Sequence, residues 1–208
     1  MPGTEHRVTP PSTTSMRPPV FARQLASLDD VLALWHEHGG RRHGPGPVTH
    51  SQHALWTAAL ARQAGAGDAL VTAALFHDFG YLLHMAGLPS GGGGCSTHDV
   101  LGATLLAEIF PPEVTEPIRL HEEAGRFLSW QQADYPRRLA DAQRRDLTVR
   151  GGPMSASEAC RFLAARHSAD AIRLRRWDDA AHHPDMPMPG WQPLLQTATR
   201  CLRDPART

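Results

Sequence analysis

The feature that most restricts this chain is the pair His77-Asp78, set between Ala73-Ala74-Leu75-Phe76 and Phe79-Gly80. An imidazole and a carboxylate drawn into an apolar interior need a partner to offset their lost hydration. A metal ion is one such partner. Adjacent ligands of this kind can straddle a pair of ions, with the carboxylate bridging and the imidazole binding one ion terminally. Taken alone, the pair also fits a helix-end histidine beside a capping aspartate.

Other residues join it at helical spacing. Apolar periodicity predicts helices from Ser27 to Trp35, Ser51 to Gln63, Asp68 to His77, His98 to Phe110, Val114 to Trp130, Ser155 onward, Ser168 to Ala181 and Trp191 to Leu202. Ser155-Ala156-Ser157-Glu158 reads as a capping box, and Pro117 is placed in the first turn of its helix. No segment alternates with period two, so the fold class is all-α. His53 lies on the helix before the His-Asp pair, His98 opens the helix after it, and His121 sits on the next. Four successive helices thus each bring a histidine toward one interior, and Asp178 supplies a late carboxylate. The joint pattern is a metal-ligand set: His53, His77, Asp78, His98, His121 and Asp178.

Composition narrows the partners. The 21 basic and 21 acidic residues cancel, which argues against a nucleic-acid binder, since neutralising phosphates requires a basic excess. No apolar run is long enough for a bilayer, and no signal-peptide pattern opens the chain, so a cytoplasmic protein acting on a small molecule is expected. The 3 cysteines, Cys95, Cys160 and Cys201, show no paired spacing and imply neither a disulfide framework nor a thiolate zinc site. Residues 1–24 read as a disordered Pro/Ser/Thr-rich tail, and residues 25–203 as the folded domain. The glycine-dense stretch around residues 91–94 reads as a linker or flap.

The pattern His53, His77-Asp78, His98, His121 and Asp178 resembles the HD-domain superfamily, with the distinctive strings PVTHSQHALWTAALA, ALFHDFGYLLH, EPIRLHEEAGRFL, GGPMSASEA and AIRLRRWDDAA. Within it, the chain is similar to the mixed-valent diiron oxygenases that cleave organophosphonates, relatives of myo-inositol oxygenase. The resemblance spans roughly residues 45–200 and implies an HD-type helical bundle holding two iron ions as an Fe(II)/Fe(III) pair, with O2 as co-substrate. It also implies that Asp78 bridges, that His53, His77 and Asp178 serve one iron, and that His98 and His121 serve the other. The reaction implied is removal of a hydrogen from a substrate carbon, followed by oxidation or bond cleavage. An oxygen- and imidazole-rich set without thiolates suits non-haem iron or manganese on chemical grounds as well.

The surrounding residues depart from those relatives. Their phosphonate-contacting lysine, one turn after the last histidine ligand, is here Gly125 with Arg126 beside it. A histidine one turn after the His-Asp pair is here Tyr81. Their tyrosine and glutamate lid falls on His43-Gly44-Pro45-Gly46, and a glutamine just beyond is His50. Tyr81, Arg175, His50 and Arg126 are therefore candidate substrate contacts and His43 a candidate lid residue, for a small polar, anionic, phosphonate-like substrate. Arg173, Arg175 and Arg176 also fit a solvated helix face, and Trp56, Trp130 and Trp177 read as core aromatics. A metal-dependent phosphohydrolase of the same superfamily is the rival reading, separable because hydrolysis needs no electron transfer.

Overall fold

The computed structural model describes residues 25–44, 46–87, 97–181 and 187–204. The tail expected at residues 1–24, the glycine-dense stretch and Cys95 lie outside them. Among the described residues there are eleven helices and no β-strand, apart from one isolated bridge between Arg42 and Thr49. No described helix is long and apolar enough to cross a membrane.

The helices are α1 (Leu28–His38), α2 (His50–Gln63), α3 (Asp68–Phe76), α4 (Phe79–Met85), α5 (His98–Leu106), α6 (Pro112–Gln131), α7 (Tyr135–Arg138), α8 (Asp141–Val149), α9 (Ala156–Ala164), α10 (Ser168–Ala180) and α11 (Trp191–Arg200). Local chemistry explains most of their ends. The Ser27 hydroxyl accepts from the Asp30 amide to start α1. Thr49 and Gln52 form a reciprocal capping box at α2, and Ser155 and Glu158 form another at α9. At α3 the cap is Gly67, and Asp68 is the first helical residue.

Two expectations change. Helix α6 begins at Pro112, so Pro117 lies inside the helix rather than in its first turn; Pro112 takes the first helical position, where a missing N–H costs nothing. Trp130 is 44 % exposed and is not a core aromatic, whereas Trp56 is buried.

The main apolar core joins α1 to α6, α10 and α11 through Trp35, Leu75, Phe76, Phe79, Leu82, Leu83, Phe110, Ile118, Leu174 and Leu194. Helices α2, α3, α5, α6 and α10 pack side by side over it and carry the polar cluster on their inner faces. Gly80 and Gly102 let α4 and α5 meet at backbone distance. A Cβ on Gly102 would stand 2.9 Å from the Gly80 nitrogen, and one on Gly80 would collide with the His98 carbonyl. That crossing places His98 beside the His-Asp pair.

Candidate metal centre

The apolar run ending at Phe76 breaks at His77-Asp78, where α3 stops and α4 begins with Asp78 as its N-cap. The break turns both side chains into the space between α2, α5, α6 and α10. His53 comes from α2, His98 from the first position of α5, His121 from the middle of α6 and Asp178 from α10. All six are buried, with His53, His77 and His121 fully so.

Their donor atoms fall into two adjoining sets. His53, His77 and Asp178 form one; Asp78, His98 and His121 form the other; within each set the donors lie within 4.8 Å of one another. In the first set His53 Nε2 is 3.2 Å from His77 Nε2 and 2.9 Å from Asp178 Oδ1. In the second His98 Nε2 is 3.3 Å from His121 Nε2. Asp78 reaches both sides. Its Oδ2 faces His53 at 3.7 Å, and its Oδ1 is 3.5 Å from His77 Nε2 and 3.4 Å from His98 Nε2. A metal about 2.1 Å from each donor sets neighbouring donors about 3.0–3.4 Å apart, close to these spacings.

The hydrogen bonds behind the imidazoles give the physical test of whether cations fit. His53 Nδ1 faces the Ala181 carbonyl at 3.2 Å, His77 Nδ1 the Ala74 carbonyl at 3.0 Å and His121 Nδ1 the Ile118 carbonyl at 2.6 Å. A carbonyl only accepts, so in the neutral rings each Nδ1 carries the proton and each Nε2 presents a lone pair. Lone pairs and carboxylate oxygens therefore converge on one another in a buried space, which is favourable only around positive charge. The donor set, imidazole and carboxylate without thiolate, fits iron or manganese.

Burial and neighbouring charges set how these groups ionise. Burial opposes ionisation of Asp78, yet His77, His43 and His98 hold its carboxyl well below the usual carboxylate range. Burial likewise opposes the charge on Asp178, and Arg175 with His53 and His77 outweighs it. Burial lowers the His53 and His98 imidazoles. At His121 burial acts in the same direction, but the Glu122 carboxylate, with Asp178 and Asp99, pushes the ring up to about 9.

The outer candidates separate into two groups. His43, His50 and Tyr81 lie together over the cluster. The His43 ring stacks on His53 at 4.2 Å, and its Nε2 is 3.0 Å from Asp78 Oδ2, so with His53 and Asp78 it makes a further metal-capable trio. The loop carrying it is pinned by the His43 amide to the Val48 carbonyl at 2.8 Å and by the His50 amide to the Arg41 carbonyl at 3.0 Å. Tyr81 stacks on His98 at 4.0 Å and, 36 % exposed, marks the solvent side of the cluster. His50 is buried within 5.7 Å of the Tyr81 ring, and its Nδ1 has no hydrogen-bond partner among the described residues.

The arginines lie elsewhere. Arg175 is buried, with its guanidinium 3.1 Å from Glu122, 3.0 Å from Asp179 and 3.7 Å from Asp178, and its Nε donates to the Tyr135 hydroxyl at 3.2 Å. It lies against Gly125, where an added Cβ would stand 3.2 Å from the Arg175 Cζ. Arg126 donates to the Gly152 carbonyl at 3.0 Å and pairs with Glu158 at 2.8 Å and Glu123 at 3.1 Å, tying α6 to α9 rather than entering the cluster.

Glu122 was not singled out by the sequence reading. Its Oε1 lies 3.5 Å from His98 Nε2 and 3.4 Å from His121 Nε2, and its Oε2 lies 3.6 Å from Arg150 Nε. Burial works against its charge, but Arg175 and the two histidines hold it well below the ordinary carboxylate range. Its adjacency to the ligand His121 was the available signal.

Comparison with known proteins agrees with this geometry. Residues 51–151 match the HD domain. The chain is 34 % identical over 183 residues to a hydroxymethylphosphonate dioxygenase of Gimesia maris, covering 84 % of this chain and 88 % of that one. It is 30 % identical over 173 residues to a glycine-betaine-forming [1-hydroxy-2-(trimethylamino)ethyl]phosphonate dioxygenase of Leisingera caerulea, covering 81 % and 88 % respectively. With its helical fold, its buried His/Asp cluster and these relatives, the chain belongs to the HD-domain phosphonate oxygenase family and is an oxygenase.

Proposed function

We propose that the protein is a non-haem diiron oxygenase that oxidises or cleaves a small polar, anionic, phosphonate-like substrate by way of its C–H bond. His53, His77 and Asp178 would hold one iron, His98 and His121 the other, with Asp78 shared. The observation that carries this reading is the convergence of imidazole lone pairs and carboxylates into two sets joined by Asp78. When bound, an Fe(II)/Fe(III) pair supplies the electrons and the dioxygen-binding position that such oxidation requires.

The chain's own residues do the rest. The Ala181, Ala74 and Ile118 carbonyls fix the tautomers of His53, His77 and His121. Arg175 steadies Asp178 from behind. Tyr81, stacked on His98 at the solvent side, can offer its phenol O–H to a substrate entering there, and His43 and His50 wall the same approach. The apolar core beneath keeps water from the inner face.

The test is anaerobic reconstitution with iron, followed by metal analysis, electron paramagnetic resonance of a partly reduced sample and oxygen uptake over a panel of phosphonates that includes hydroxymethylphosphonate. About two irons per chain, a coupled mixed-valent signal and substrate-dependent oxygen uptake are expected. Phosphate-ester turnover with zinc or nickel in the absence of oxygen would replace this reading with the phosphohydrolase one.

A further inference from the structure

Helix α6 delivers two neighbouring side chains to the cluster, His121 and Glu122, much as the α3–α4 break delivers His77 and Asp78. Glu122 Oε1, His98 Nε2 and His121 Nε2 form a nearly equilateral triangle with sides of 3.5, 3.4 and 3.3 Å. These are the spacings that neighbouring donors adopt around one ion about 2.1 Å from each. The Glu122 side chain is only 12 % exposed, and each of its two oxygens also has an arginine beside it. Arg175 Nη1 lies 3.1 Å from Oε1 and Arg150 Nε lies 3.6 Å from Oε2. Metal-binding carboxylates are oriented by such backing partners. We propose that Glu122 is a fourth protein donor to the second metal, beside Asp78, His98 and His121.

Serving only as counter-ion to Arg175 and Arg150 would not require Oε1 to face two histidine nitrogens. His121 Nδ1 is committed to the Ile118 carbonyl, which leaves its Nε2 for whatever lies between it and Glu122. One cation at the centre of the triangle satisfies all three atoms at once. The first metal already has four protein donors, counting the shared Asp78. With Glu122 the second has four too, which raises its retention and leaves fewer positions for exogenous ligands. This inference rests on the two-metal reading above.

Manganese(II), titrated anaerobically and followed by loss of the free-ion resonance, reports the two sites without turnover. In the unsubstituted chain two ions should bind. Glu122→Gln and Glu122→Asp should each weaken only the second ion, by about ten-fold or more, with the first ion's affinity serving as the control for folding. The aspartate variant keeps a negative charge beside Arg175 but withdraws it by one methylene, so a counter-ion role would leave manganese binding as it was. Two ions bound at unchanged affinity in both variants overturns the proposal. So does loss in Glu122→Gln with none in Glu122→Asp. If Arg175→Met alone reproduces the second-site loss and Glu122→Gln adds nothing in that background, Glu122 acts through Arg175 and is no ligand. A single manganese ion in the unsubstituted chain removes the two-metal reading itself, and this inference with it.

Discussion

Gly80 and His98 meet backbone against backbone: a side chain at residue 80 has no space, because the His98 carbonyl oxygen occupies the direction its Cβ would take. The collision involves main chain on both sides, so no rotamer change relieves it. Gly80→Ala should cost about 3 kcal/mol, the upper end for overpacking. That corresponds to a melting temperature lower by about 6–12 °C for a chain of this size. Because α5 must back away and take His98 with it, second-site metal should be lost as well, as iron analysis of the variant can check.

His121 is the only described ligand that α6 is expected to contribute in the family pattern. His121→Ala should therefore empty the second position and leave the first, giving about one iron per chain in place of two. Full occupancy in this variant removes His121 from the ligand set.

A Cβ at position 125 would stand 3.2 Å from the Arg175 Cζ, and three carboxylates resist movement of that guanidinium. Gly125→Ala gains about 1 kcal/mol of helix propensity but displaces a buried ion-pair network. The expected sum is a loss of about 1 kcal/mol in urea unfolding, with weaker metal binding at the set containing Asp178. Gly125→Lys displaces Arg175 further and places an ammonium where the resemblance to phosphonate-cleaving oxygenases implies one. Gain of aminophosphonate turnover would tie substrate range to this position, whereas no gain assigns the range to other residues.

Burial, aided by His43, His53 and His77, brings the His50 imidazole down to about 4. Between pH 6.5 and about 4 the unfolded chain binds a proton that folded His50 refuses, so stability rises with pH across that window. The contribution is complete above 6.5 and is lost as pH falls to about 4. His50→Gln should flatten this part of the metal-free stability profile by at most about 3 kcal/mol, as denaturant unfolding at several pH values can measure. Parallel profiles for the two proteins would show that His50 is not the group responsible.

The sequence was most legible where a residue's neighbours determine its environment. The His-Asp pair inside an apolar run, the histidines on successive periodic segments and the Ser155 capping box all report locally, and the structure brings the six together. Helices α7 and α8 gave no such signal, because α7 has only 4 residues and α8 buries only Leu147. The end of α3 near His77 was legible, whereas α4 was not, because its 7 residues are too few to establish a period. Adjacency to His121 is all that separates Glu122 from Glu123 in sequence. In the fold Glu122 meets His98, His121, Arg175 on α10 and Arg150 after α8, while Glu123 turns to Arg126. Long-range partners of that kind leave no trace in local pattern.

The carbonyls that hold His53, His77 and His121 belong to the main chain, so no side-chain replacement at Ala181, Ala74 or Ile118 can delete them. The tautomers are written into the backbone course of the helices. A lineage carrying this scaffold can therefore exchange a residue at the entrance, such as Tyr81, while its grip on metal passes unchanged from one specificity to the next.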